Sequence, residues 1–409
     1  MIGKYTLLFV QPGVSWKSIP SIERMGLQLT VGLRQRGYQI TWCPLLTKTP
    51  DQEDSVSLIR LARQHGFNVK PLVLPQKYNI WHSVSTFNRY LAQEDCDVIC
   101  VTGYKAGIIT AFIPQRATIE VLRGWTGQTL PVRLYEFMDK LLLRKHDLVV
   151  GISPAQRDIA VRYGVPPEKA WWIPNAMDVT QLPEPMSPTE WCKQLGIGTR
   201  AVLIGGVGRL SKEKGFDILL KAFKIVFNHL ANAVLILAGD GMERERLQSL
   251  AGSLRLGEVV RFLGEIPNGA QLISGLHLLV LSSLSEGMPN VVLEAFAYKT
   301  PVVATAVGGV PELVKDGETG WLVPPRDPHA LAQAILDALA NPEEARRRAE
   351  MHINTCWRTL RWRSRWTSGN RRCKRQWRTG GGEPDANSSH RWGGFYRLAP
   401  DGTLDRTGT

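Results

Sequence analysis

Residues 286–294 read E-G-M-P-N-V-V-L-E, with the apolar run L-L-V-L at 278–281 just before them and a helical pattern from Val291 to Tyr298 filling their second half. This is a strand-to-helix turn with a carboxylate on either side. Pro289 suits the first helical position, where a missing N–H costs nothing, so the helix should open beside Glu286 with its free backbone donors and positive dipole end. Such a helix mouth accepts phosphate. Glu294 falls about one turn further on and can project from the same end. One corner could then hold a diphosphate on backbone donors and sugar hydroxyls on two carboxylates, and a nucleotide-sugar carries both groups. Alone, an E-x7-E pair does no more than cap a helix and complement its dipole.

The surrounding stretches give the pair its context. G-G-V-G-R-L-S-K-E-K-G (205–215) places Arg209 and Lys214 between the apolar run 201–204 and a helical pattern at 217–227. A-G-D-G-M-E-R-E-R-L (238–247), V-R-F-L-G-E-I (260–266) and P-V-V-A-T-A-V-G-G-V-P-E-L-V-K-D-G-E-T-G-W-L-V-P-P (301–325) follow the same alternation. In this order, over about residues 200–340, these stretches resemble the nucleotide-binding half of the retaining GT-B glycosyltransferases of family four.

Length and composition suit two domains. A chain of 409 residues exceeds one ordinary core, and 44% hydrophobic with 21% charged residues is globular composition. No apolar run reaches the length of a membrane span. At the N-terminus only residues 7–10 are apolar before Gln11-Pro12, which reads as a first strand and not a signal peptide, so a cytoplasmic protein is expected. Cys43, Cys96, Cys100, Cys192, Cys356 and Cys373 show neither C-x-x-C nor a zinc spacing and read as reduced thiols.

Short apolar runs at 5–10, 39–43, 69–74, 97–102, 118–122 and 148–152 alternate with helical patterns at 22–36, 55–65, 83–93 and 132–143. W-I-P-N-A-M-D at 172–178 resembles the family's closing strand and linker start, continued by Pro183, Pro185 and Pro188. A second series runs through 201–204, 233–238, 259–263, 278–281, 302–306 and 320–323. The expected fold is α/β: two Rossmann-like domains, 1–179 on the acceptor side and 180–348 on the nucleotide side, facing across a cleft at the carboxyl ends of both sheets.

The remaining 349–409 change character. Residues 351–409 hold twelve Lys/Arg against four Asp/Glu, which is +8 of the chain's net +13, and C-W-R-T-L-R-W-R-S-R-W (356–366) has no apolar period. Abrupt Arg, Trp, Gly and Ser richness is what a shifted reading frame would produce, so the expectation is an aberrant, disordered tail. The basic balance therefore does not argue for a nucleic-acid partner.

The resemblance implies a role for each matching residue. Arg209, Lys214 and Glu286 are the catalytic group, the two cations meeting the leaving diphosphate and Glu286 the sugar hydroxyls. Gly13, Arg123, Gly287, Met288, Pro289, Asn290 and Glu294 bind the donor, with Glu294 on the ribose. No metal or other cofactor is expected, and the sequence is read as having no D-x-D for a catalytic metal. The partners are a nucleotide-sugar, UDP-linked, and a glycan or lipid-linked acceptor, with peripheral contact at the inner face of the membrane and no nucleic acid. The family's first strand-helix turn has a glycine pair where only Gly13 remains, and Arg123-Gly124-Trp125 stands where a histidine usually contacts the sugar. Arginine cannot act as a base at neutral pH. The alternative is thus a protein that binds a nucleotide-sugar without turning it over. His65, His82, His146 and His277 are isolated and read as surface or packed residues.

Overall fold

The computed structural model describes residues 5–12, 21–46, 57–74, 79–113, 116–125, 130–175, 177, 179, 182–266 and 269–360. Among these residues the chain forms two parallel sheets. The first contains β1 (Thr6–Pro12), β2 (Gln39–Leu46), β3 (Asn68–Val69), β4 (Leu72–Val73), β5 (Val98–Thr102), β6 (Ala117–Val121), β7 (Leu148–Gly151) and β8 (Ala170–Trp172). Its order is β3-β2-β1-β5-β6-β7-β8, with β4 also pairing β2. The second contains β9 (Val202–Val207), β10 (Ala233–Ala238), β11 (Val260–Gly264), β12 (Leu278–Leu281), β13 (Val302–Thr305) and β14 (Trp321–Val323), ordered β11-β10-β9-β12-β13-β14. In each sheet the order reverses beside the first strand, between β1 and β5 and between β9 and β12. Open α/β sheets bind ligands at the carboxyl ends of the strands at such points.

In the first domain the helices are α1 (Ser21–Gln35), α2 (Ser57–Gln64), α3 (Ile80–Leu91), α4 (Tyr104–Thr110), α5 (Leu130–Leu142) and α6 (Pro154–Arg162). The second has α7 (Pro188–Gln194), α8 (Phe216–His229), α9 (Arg244–Ser253), α10 (Gly269–Ser274), α11 (Asn290–Ala297), α12 (Val310–Leu313), α13 (Pro328–Ala340) and α14 (Pro342–Leu360). Strands covered on both faces can be apolar throughout. All six residues of β10 and all four of β12 are buried accordingly. Phe223 of α8 and Ile335 of α13 belong to the core on one face of the second sheet, Leu272 of α10 and Phe296 of α11 to the core on the other. In the first domain Trp42 is fully buried, its ring 4.9 Å from that of Phe9 and its Nε1–H donating to Thr30 Oγ1 at 3.1 Å.

Three sequence expectations change. The apolar run at 69–74 is divided into β3 and β4, both pairing β2. The closing strand β8 ends at Trp172, where it was expected to begin, because β7 offers partners only from Val149 to Gly151. The boundary expected at 349 falls inside α14, which buries Ala345 and Ala349. Arg348 donates to Gly320 O at 3.0 Å, and its guanidinium lies 4.0 Å from the centre of the Trp321 ring. The tail beyond Leu360 lies outside the described residues. A chain ending after Leu360 is expected to melt with the full-length protein, and one ending after Ala340 several degrees lower, since about 2 kcal/mol of packing moves the melting point of a domain this size by roughly 4–8 °C. Equal melting of all three chains would show that α14 adds no stability.

Behind β6 lies a buried polar cluster. His146 Nε2 is 3.0 Å from Glu120 Oε2, Asp139 Oδ2 accepts from Trp125 Nε1 at 3.0 Å, and all three titratable side chains are nearly fully buried. A methyl group on Gly107 would lie 2.3 Å from Glu120 Oε1 and 2.6 Å from Asp139 Oδ1, so the glycine makes the space. Burial raises the Glu120 carboxyl to about 8 and Asp139 well above its ordinary value, and lowers His146 to about 4. Charged forms are disfavoured in such a site. The cluster is therefore neutral near pH 7. Between pH 6.5 and 8 the unfolded glutamate is ionised while folded Glu120 still holds its proton, so stability falls as pH rises. His146 acts in the opposite sense, but by pH 6.5 most of its contribution has been gained and less than about half a kcal/mol remains. A decline of about 1–2 kcal/mol across this window is expected, and Glu120→Gln should make it shallower. A wild-type stability that is flat or rising from pH 6.5 to 8 would contradict the neutral cluster.

Candidate functional site

The carboxyl ends of β9 and β12 deliver the two motifs singled out in the sequence to one place. From β12 the chain passes through Ser282 and Ser283 to Glu286, and α11 opens at Asn290. Pro289 is the N-cap of this helix and not its first residue, with φ −76° and ψ 115°, and its carbonyl accepts Val292 N–H at 3.2 Å. The helix begins one residue later than expected because extended ψ at the proline turns the chain before the helical bonds start. Its mouth still lies directly beyond Glu286-Gly287-Met288.

The Glu286 carboxylate is 8% exposed and receives two short hydrogen bonds on Oε1, from Lys214 Nζ at 2.7 Å and from Ser283 Oγ at 2.6 Å. Lys214 ends a short 3-10 turn after β9. Main-chain bonds fasten that turn to the β12 loop: Leu284 N–H donates to Glu213 O at 2.7 Å, and Ser282 Oγ donates to Lys214 O at 3.0 Å. Gly215 is left-handed at φ +61°, and a methyl there would sit 2.2 Å from Ser282 O. Only glycine admits both the backbone and the contact. Arg209 is exposed on the same loop, which is tied to the end of β10 by Gly208 N–H to Ala238 O and Leu210 N–H to Asp240 O, each 2.9 Å. On the other side Gly308, at φ +54°, brings its Cα against Glu286, where an added Cβ would lie 1.8 Å from the carbonyl oxygen.

The first domain closes this corner. Arg123 Nη1 donates to Asn175 Oδ1 at 3.1 Å, and Asn175 Nδ2 donates in turn to Met288 O at 3.2 Å and Asn290 Oδ1 at 3.0 Å. Asn175 N–H also approaches Met288 Sδ at 3.1 Å. Gly287 faces Gln156 and the Arg123 carbonyl so closely that a methyl on it would lie 2.9 Å from Gln156 Nε2 and 3.3 Å from Arg123 O. Gln156 is held by its own Oε1, which accepts Ile152 N–H at 2.9 Å. The structure thus gathers Lys214, Glu286, Gly287, Met288, Pro289, Asn290 and Arg123. Arg209 stands exposed earlier on the loop that carries Lys214, and Gly13 lies outside the described residues.

Glu294 is half-buried on α11, one turn beyond the mouth, and its carbonyl accepts Tyr298 N–H at 3.2 Å. Burial pushes the Tyr298 phenol up to about 12, and the charges of Glu294 and Glu184 add to the shift. The charge of Glu294 therefore acts along the helix side that meets the interdomain segment, where Tyr298 donates to Pro183 O.

Asn175, Ser283, Gln156 and Gly308 were not among the expected site residues. Asn175 ends the W-I-P-N run, and only that proline-asparagine step hints at a fixed turn. One D-x-D triplet does occur, Asp95-Cys96-Asp97, contrary to the sequence reading. It precedes β5 at the opposite, amino end of the sheet, where Asp97 accepts Thr6 N–H at 2.8 Å and so closes the β1–β5 edge. His277 is packed, its Nδ1 accepting Leu203 N–H at 3.0 Å.

Residues 188–354 match the family model for "Glycosyl transferases group 1", and residues 22–181 match that for "Glycosyltransferase Family 4". The chain is 32% identical over 212 residues to D-inositol 3-phosphate glycosyltransferase of Geodermatophilus obscurus, covering 48% of this chain and 46% of that protein. It is 29% identical over 210 residues to N-acetyl-alpha-D-glucosaminyl L-malate synthase of Bacillus anthracis, covering 51% of each. The chain spans about half the length of the curated relatives it matches. Among solved structures, Anabaena HepE in complex with UDP and glucose superposes with a TM-score of 0.73 at 22% identity, over 87% of this chain and 95% of that one. Sucrose-phosphate synthase from Thermosynechococcus elongatus gives 0.72 at 22%, over 87% and 94%. The fold is GT-B, and the chain is homologous to group 1 glycosyltransferases.

Proposed function

We propose that this chain is a retaining glycosyltransferase that moves a sugar from a nucleotide-sugar, UDP-linked, to a glycan or lipid-linked acceptor in cell-surface polysaccharide synthesis, working in the cytoplasm against the inner face of the membrane. The observation that carries the reading is the Lys214–Glu286 pair, 2.7 Å apart beside the opening of α11, at the point where the second sheet reverses its order. Departure of the nucleotide is the hard step. The bond from the anomeric carbon to the phosphate oxygen breaks, its electron pair passes to the diphosphate, and the sugar becomes oxocarbenium-like. Lys214, Arg209 and the helix mouth at Met288 to Asn290 then meet the growing negative charge, in place of a metal. Preorganisation is supplied by the loops: Lys214 is already held, so little reorganisation accompanies the reaction.

The acceptor hydroxyl attacks on the same face as the departing phosphate, and its proton passes to a donor phosphate oxygen. Glu286 orients the sugar hydroxyls, and Glu294 the ribose. Arg123 has no basic role in this scheme; through Asn175 it fixes the Met288 carbonyl and the Asn290 side chain. The UDP-bound structure of HepE supports uridine as the donor's nucleoside.

The deciding experiment incubates the protein with UDP-, GDP- and ADP-sugars and measures nucleotide release, with thermal shift alongside. Release with one donor supports the enzyme. A shift without release favours a binding protein that does no transfer. Glu294→Ala is expected to weaken donor affinity about ten- to a hundredfold, the worth of one charge-assisted hydrogen bond at about 1.5–3 kcal/mol. Unchanged affinity by calorimetry would remove Glu294 from the site.

A further inference from the structure

Helix α5 is inside out. Its buried side carries two carboxyls, Glu136 and Asp139, and its solvent side carries Leu130, Leu134, Phe137 and Leu141. These four are between 47% and 79% exposed, and their spacing of four, three and four residues makes one continuous stripe. A helix docked only on its own domain would turn that stripe inward. Here the inward place is taken, because Asp139 belongs to the neutral cluster with Glu120 and His146 and holds the Trp125 indole.

The surroundings select the occupant. With its two acids buried, the charges that α5 and the turn after it present at the surface are the exposed cations Arg133, Arg144 and Lys145. The next acid, Asp147, gives its carboxylate to Thr118 N–H at 2.9 Å. Beside the stripe, Tyr135 of α5 stacks on Tyr104 of α4. Leucine and phenylalanine on one line, with cations and tyrosine beside it, are the composition of a helix lying in a lipid interface. A second copy of the chain is a poor fit, since a two-fold contact on this stripe would set Arg133, Arg144 and Lys145 near their own equivalents.

We infer that α5 is a docking surface for an anionic lipid bilayer, lying flat with Leu130, Leu134, Phe137 and Leu141 inserted and Arg144 and Lys145 at the headgroups. The surface deepens the proposed function, because α5 leaves the same β6 end as Arg123. A bilayer seated there brings lipid-linked acceptors to the cleft. Anionic lipid contributes attraction per cation that salt weakens, and the inserted side chains contribute an apolar part that salt does not.

The test is co-sedimentation of the full-length protein with phosphatidylcholine vesicles and with vesicles containing phosphatidylglycerol. The wild type is expected to bind the anionic vesicles, and Leu134→Glu combined with Phe137→Glu to weaken that binding about tenfold or more. Arg144→Glu with Lys145→Glu should also weaken it, and should remove much of its salt dependence. All four positions are exposed, so melting temperature and UDP binding, measured on the same samples, are expected to match the wild type. Unchanged vesicle binding in the Leu134/Phe137 variant overturns the inference and assigns any binding to another part of the chain, such as the basic residues after 360. A dimer that the same substitutions dissociate, with no vesicle binding by the wild type, overturns it in favour of a second copy. If the wild type binds vesicles through α5 but takes no nucleotide-sugar, the docking surface stands and the transferase reading falls.

Discussion

Lys214→Ala is expected to lower turnover about a hundred- to a thousandfold while changing donor affinity far less. One preorganised donor aimed at developing charge is worth about 2.7–4 kcal/mol in the transition state, and its ground-state share is smaller because the diphosphate already carries charge shared with the helix mouth. In the unliganded protein the ammonium is held at 2.7 Å by Glu286 and is about one-fifth exposed. Removal therefore also leaves the 8%-exposed Glu286 leaning on Ser283, and a modest loss of stability should accompany the kinetic effect. Lys214→Arg keeps the charge and should recover part of the rate. Steady-state kinetics with the donor identified by nucleotide release decides the matter. If the Michaelis constant rises and turnover is kept, Lys214 binds substrate and transition state equally and has no special part in the leaving-group step.

Gly308→Ala should be among the most damaging single methyls at the described glycines. The residue stands at φ +54°, where an L side chain costs about 1–2 kcal/mol, and the new Cβ would be built 1.8 Å from the Glu286 carbonyl oxygen. Backbone on both sides must move. With overpacking added, destabilisation of about 2–4 kcal/mol is expected, together with loss of nucleotide binding, because the displaced peptide carries Glu286 and leads into the mouth of α11. Urea unfolding and calorimetry with UDP report the two effects separately. Wild-type values in both would mean that the loop is not held where the structure has it.

Much of the architecture was legible because strands covered on both faces must be apolar throughout. The runs at 233–238 and 278–281 left little alternative. The two carboxylates and two cations of the nucleotide half were also readable, since each lies within a few residues of a strand end. What escaped has a common physical origin. Asn175 acts on Met288 and Asn290 across more than a hundred residues, and Gly308 matters through the space it leaves, so neither has a local pattern. Helix α5 shows a subtler limit. Its period predicted a helix near 132–143 correctly, but periodicity fixes the angle between an apolar and a polar side without saying which one turns inward. That choice came from Glu120 and His146, on other elements. His146 itself looked isolated in sequence and proves to be a member of the buried cluster.

The stitching of the second-domain loops by main-chain bonds and by glycines that lack a neighbour's clearance has a consequence for change over generations. At Gly215, Gly239 and Gly308 an added methyl would fall about 2 Å from a carbonyl oxygen, so drift at these points is closed. Side chains that merely project from the stitched loops, such as Met242, 76% exposed after β10, take no part in holding them and are free to vary. A randomised library confined to such projecting positions should therefore yield mostly folded proteins with altered donor preference, while one that includes the glycines should yield mostly unfolded ones. Novelty in this molecule is then cheap at the tips and forbidden at the seams.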